Sequence, residues 1–309
     1  MERLQRLPVP VLPTFVGALT LSNVYNGLGY TWIRHIFMWI ALCLLVIYLI
    51  KIIKYPNVVK NEYNTVVPCS LYAGFTMIMM ILGSYFVEYH IVFGKTLFFA
   101  GMILHAIHIL IFTYKNVIKK RDVKTFVPSW FVTYNGLMVS CTVGAAMQIN
   151  PILEIVTYYG IMIYFIIIPF MIWRLIKVEM LPAVYHTMAV VLAPCSLCVV
   201  SYLNVIEQKN FAFVCFLYIC VLLSLLFVII KLPKFFTFHF MPSFAGMTFP
   251  MAIGIIATTK MSAYLASEGY ETLSMMTSQL SGIQLYLTTM IIGYVLINLL
   301  IKALRLQQQ

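Results

Sequence analysis

Met241-Pro242-Ser243-Phe244-Ala245-Gly246-Met247-Thr248-Phe249-Pro250 opens an apolar run that reaches about residue 264. Pro242 stands where a helix begins and where its missing N–H costs nothing. Pro250 falls inside the run, where it removes a helix hydrogen bond and loosens the chain. The opening recurs upstream as Leu12-Pro13-Thr14, Val67-Pro68-Cys69, Val127-Pro128-Ser129 and Leu181-Pro182-Ala183, at intervals of 55, 60, 54 and 60 residues. Each interval holds two apolar runs, and only the first carries the proline. Prolines at first turns explain each position singly; the near-constant period reads as five copies of one helical hairpin.

Apolar runs of spanning length fall near 8–28, 31–53, 66–87, 91–114, 126–148, 152–173, 181–204, 211–231, 240–264 and 279–301. They predict an all-α membrane protein: one domain of ten transmembrane helices, with hairpins near 8–53, 66–114, 126–173, 181–231 and 240–301. Composition agrees. Of 309 residues, 62% are hydrophobic and 9% charged, with a mean hydropathy of +0.96; a soluble domain is about 25% charged. A soluble enzyme, a disordered chain, a secreted disulfide scaffold and a nucleic-acid binder are excluded on these grounds. The first run lacks a small-residue cleavage site and reads as a span, not a signal.

The net charge of +11 lies in the loops. Arg3, Arg6, Lys51, Lys54, Lys60, Lys115, Lys119, Lys120, Arg121, Lys124, Arg174, Lys177, Lys231, Lys234, Lys302 and Arg305 share one side, and only Arg34, Lys95, Lys209 and Lys260 the other. The positive-inside rule then puts both termini in the cytoplasm; the expected location is the cytoplasmic (plasma) membrane.

Much chemistry is missing. The one aspartate, Asp122, sits in a basic loop, and Glu88, Glu154, Glu207, Glu268 and Glu271 lie at or beyond span ends. Paired-Asp and H-E-x-x-H enzymes are excluded, and proton or sodium relays usually need an intramembrane carboxylate. His105 and His108 share a helix face without an evident partner set. Cys195-x-x-Cys198 lacks a second pair, so no metal and no cofactor is expected. The odd spans hold interior glycines, among them Gly17 and Gly136, and the prolines Pro194 and Pro250; small residues and breaks are tolerated where helices pack closely or line a cavity. With the dipoles of Thr20, Asn135 and Thr248 they are the expected pore lining, the even spans facing lipid. A pore without carboxylates and with a basic approach suits anions. Lys260, near the outer end of the ninth span, is the expected outer-mouth charge, the alternative being an interfacial anchor that pairs with Glu268 or Glu271.

The seventh span, Met188-Ala-Val-Val-Leu-Ala-Pro194-Cys-Ser-Leu-Cys-Val-Val-Ser-Tyr202-Leu203, resembles that of the tellurite-resistance/dicarboxylate transporter family, which includes bacterial TehA and the plant guard-cell slow anion channels. Thr248-Phe249-Pro250 and the proline-rich opening Leu7-Pro-Val-Pro10-Val-Leu-Pro13 are similar to the family's ninth span and start, and Val16-Gly17-Ala18 departs from TehA's Gly- and Pro-rich first span. The resemblance covers about residues 7–303. It implies five hairpins around a pore, a homotrimer of separately conducting protomers, and a phenylalanine gate that falls on Phe249. Phe75, at the same offset from Pro68, is expected at the same level. The expected ligands are small anions such as chloride, nitrate or a dicarboxylate, with membrane lipid around the chain. The alternative on this fold is a proton-linked carrier or exporter of C4-dicarboxylate (malate), sulfite or tellurite.

Overall fold

The computed structural model describes residues 2–120 and 122–305; Arg121 lies outside the described residues, as do the side chains of Arg3 and Arg305. Among the described residues the chain is helical, with no strand. We label the segments α1 (Val11–Gly27) and α2 (Thr31–Lys54), then α3 (Val66–Val87), interrupted at Tyr72, and α4 (Ile91–Phe112). They continue with α5 (130–147, in four short pieces), α6 (Asn150–Lys177) and α7 (Pro182–Val205). Last come α8 (Phe211–Phe235), α9 (Pro242–Ser267) and α10 (Glu271–Arg305).

Eight helices are long and apolar enough to cross a membrane. The two other expected segments are helical but fall short of that length: α1 has 17 residues, and α5 breaks at Asn135 and again at Gly144. The last helix begins at Glu271, well before the apolar run expected from 279. Helical hydrogen bonding does not require apolar side chains, so the polar stretch continues the helix beyond the hydrophobic one.

Burial divides the segments into two sets. In α3, α7 and α9, 83% of the most apolar stretch is buried, against 28–39% in α2, α4, α6, α8 and α10. The second set exposes Trp39, Ile47, Leu110, Phe170, Leu223 and Ile297. Water would not tolerate so much contiguous apolar surface, and hydrocarbon does. Contacts run from α1 to α3, α3 to α5, α5 to α7, α7 to α9, and α9 back to α1. Each of these five also packs on the segment that follows it.

Two ion pairs occur among the described residues. Arg34 grips Glu88 at 2.6 Å and lies over the Tyr85 ring, tying the start of α2 to the end of α3. Lys51, fully buried, donates to Glu62 Oε1 at 2.7 Å and to the Leu7 carbonyl at 2.8 Å, and the Tyr72 hydroxyl donates to Glu62 Oε2. The short helix Pro56–Tyr63, which carries Glu62, is thereby locked to the chain entering α1. All seven cysteines are free thiols.

Candidate functional site

A cavity of about 330 Å³ lies among α1, α3, α5, α7 and α9, from their first turns inward. Pro10, Pro13 and Val16 come from α1 and its approach, Val67, Pro68, Leu71 and Met77 from α3, and Phe131, Val132 and Gly136 from α5. From α7 come Ala183, Val184, Thr187, Val190, Ala193 and Leu197; Met241 to Ser243, Ala245, Gly246, Phe249 and Pro250 come from α9 and the residue before it. Proline at an N-terminus thus has a second consequence here: Pro13, Pro68 and Pro242 present ring carbons, not N–H groups, to the space.

No lining residue is charged, and the only polar lining side chains are Thr187 and Ser243. The Thr187 hydroxyl donates to the Val184 carbonyl at 2.6 Å. Ser243 Oγ lies 3.0 Å from His186 Nδ1, and His186 Nε2 lies 3.0 Å from the Phe235 carbonyl. A carbonyl only accepts, so Nε2 carries the proton and Nδ1 of the neutral ring accepts from Ser243. The ring is fixed further by stacking on Phe244, centroids 3.7 Å apart.

Phe249 is 6% exposed and lines the cavity next to Pro250. Its position is set by α1. A methyl group built on Gly17 would lie 2.7 Å from the Phe249 nitrogen, so only glycine lets the two backbones approach this closely. Thr248 Oγ1 fastens the same contact, lying 3.2 Å from the Pro13 carbonyl and 2.8 Å from that of Ala245.

Of the residues singled out in the sequence, Phe249, Pro250 and Gly136 line the cavity together. Gly17 and Thr248 stand behind the wall, and Thr20 is buried with its hydroxyl returned to the Val16 carbonyl at 2.8 Å. Pro194 is buried within α7, between the lining residues Ala193 and Leu197. Asn135 donates from Nδ2 to the Gly160 carbonyl at 2.9 Å, toward α6. Phe75 is half-buried against the core and is not among the lining residues; Met77 is. Lys260 is half-buried, and no ion pair joins it to Glu268 or Glu271 among the described residues. Ser243, Met77 and Phe131 were not singled out as pore residues. Ser243 directly follows a repeat proline, which is the one signal that could have marked it.

The two histidines of α4 are fully used. His105 lies 2.7 Å from Thr76 Oγ1 and 2.9 Å from the Thr133 carbonyl; His108 lies 3.2 Å from the Tyr63 hydroxyl and 3.3 Å from Thr133 Oγ1. They tie α3, α4 and α5 together. No group of three His, Cys, Asp or Glu among the described residues is placed to hold a metal ion.

The cavity is thus uncharged and almost wholly apolar, with Phe249 as one of its wall residues. No curated protein matches the chain. The family model described as SLAC1, voltage-dependent anion channel, matches residues 9–300, nearly the whole chain, which therefore belongs to that family of membrane anion channels and transporters.

Proposed function

We propose that the protein is a channel for small anions, in which five helical hairpins with ten membrane crossings surround a central pore closed at Phe249. The carrying observation is the uncharged cavity, lined from five segments of the chain and reaching Phe249. The ring reading is supported by contacts that return from α9 to α1, and by the burial of the odd segments. The basic loops draw anions toward the cavity's side of the membrane. Without carboxylates, a cation finds nothing to replace its hydration, whereas polarised C–H groups and backbone dipoles offer an anion weak compensation. Dehydration then dominates the barrier, so weakly hydrated nitrate passes more readily than chloride. An aromatic ring across so narrow a passage expels water and blocks conduction. Protomers assemble as trimers in the plasma membrane with both termini cytoplasmic; the trimer rests on the family resemblance and the orientation on the distribution of Lys and Arg.

One feature favours the second reading, a proton-linked carrier of malate, sulfite or tellurite: His186 holds the lining hydroxyl of Ser243. Against it, no lining residue is itself titratable, and a coupled carrier needs its proton site in the substrate's path. Purified protein in liposomes, with voltage clamped and a pH dye inside, separates the two. Anion flux without matching proton flux is expected; proton movement in fixed ratio to the anion, persisting under the clamp, would establish the carrier.

A further inference from the structure

A second cavity lies apart from the first, on the outer wall at the basic end of the bundle. It measures about 310 Å³, and its walls include Asn116, Asp122, Phe126, Trp130, Phe170 and Trp173. The chain's only aspartate therefore shares this pocket's lining with four aromatic side chains. The geometry is built. The helix carrying α4 widens to i→i+5 turns from Thr113 to Lys120, and Asn116 donates to the Phe112 carbonyl at 3.1 Å within that turn. Trp130 packs edge-on against Phe126 and donates its indole N–H to the Thr125 carbonyl. Asp122 Oδ1 accepts from the Lys124 amide at 2.9 Å, and Asp122 makes no ion pair among the described residues.

Around this pocket the charge is opposite. Lys119 and Lys124 are exposed on the same stretch of chain, and Arg174 follows Trp173. The Arg174 guanidinium is buried against the carbonyls of Val178 and Lys124 and the Met180 sulfur, and among the described residues its Nε has no partner and no carboxylate is paired with it. Phe170 and Trp173 are themselves exposed on the apolar wall of α6, so the pocket's rim continues onto the surface that faces lipid.

We propose that this pocket binds the headgroup of a zwitterionic phospholipid that carries an ammonium. A carboxylate among aromatic faces recognises an ammonium by charge and by cation–π attraction. The surrounding Lys119, Lys124 and Arg174 supply the field for the phosphate one bond-chain away. Phe170 and Trp173, exposed on α6 toward its basic end, supply the apolar track for the first acyl methylenes. An anionic lipid without an amine would satisfy the basic rim but leave Asp122 facing a phosphate.

The test is native mass spectrometry of the delipidated full-length protein in detergent, titrated with phosphatidylethanolamine or with phosphatidylglycerol of the same acyl chains. The ethanolamine lipid is expected to be retained at about ten-fold lower concentration. Asp122→Asn and Trp173→Ala, both at exposed side chains, should each abolish that preference while leaving the thermal unfolding midpoint unchanged. Equal retention of the two lipids by the wild type, or a preference that survives Asp122→Asn, would overturn the proposal. So would displacement of the bound lipid by inorganic phosphate alone, which would mark a phosphate site.

Discussion

Gly17 shows how one residue positions the proposed gate. Its missing side chain leaves room for the Thr248–Phe249 backbone, and Thr248 closes the contact onto Pro13. Gly17→Val must push α1 away from α9, and overpacking of this kind costs about 1–3 kcal/mol. Thermal unfolding of the detergent-solubilised variant is expected to show a lowered midpoint; an unchanged midpoint would mean that α1 and α9 do not meet there. At this scale the sequence is only half legible. Phe249 and Gly136 could be marked as wall residues, by resemblance and by small size, and both line the cavity. Asn135, the neighbour of Gly136, turns its amide to the Gly160 carbonyl. Which of two adjacent residues faces an axis depends on helical phase, and the chain breaks at this point.

Phase is set by the elements. Equal offsets from the repeat prolines would bring Phe249 and Phe75 to one level only if α9 and α3 were wound alike. They are not: α9 opens with i→i+3 turns over Pro242–Met247, and α3 is interrupted at Tyr72. An i→i+3 turn advances about 2.0 Å and 120° per residue against 1.5 Å and 100° in an α-helix, so a few residues rotate the inward face. Met77 thus faces the cavity in α3. The interruption in α3 is held from outside, because the Tyr72 hydroxyl donates to Glu62, which also takes the buried Lys51. Lys51→Met would leave the Leu7 carbonyl without this donor and the Glu62 carboxylate without its countercharge, held only by the Tyr72 hydroxyl. Breaking a buried pair from one side costs about 3 kcal/mol, read as a loss in the denaturation midpoint of the purified protein. Full stability in Lys51→Met would show that the pair does not hold this end of the bundle.

At the scale of the whole molecule, hydropathy and charge were the legible part. Long apolar runs separated by basic loops foretold a helical membrane protein, and the family model spans nearly the whole chain. The cavity was less legible, because its lining is mostly proline, valine, alanine and leucine, residues that in isolation read as packing. The proposed orientation predicts that single cysteines introduced near residues 29, 89, 150, 207 and 270, in a cysteine-free background, react with an impermeant reagent applied outside intact cells. Labelling at 56 or 118 from that side would reverse the topology. The central claim, that anions cross through a pore closed by one aromatic ring, rests on Phe249. It is tested most directly by recording currents from purified Phe249→Ala in planar bilayers with chloride and nitrate as the only permeant ions. The account predicts a folded variant whose basal anion current far exceeds that of the wild type, larger in nitrate than in chloride; a folded variant that carries only the wild-type current would contradict it.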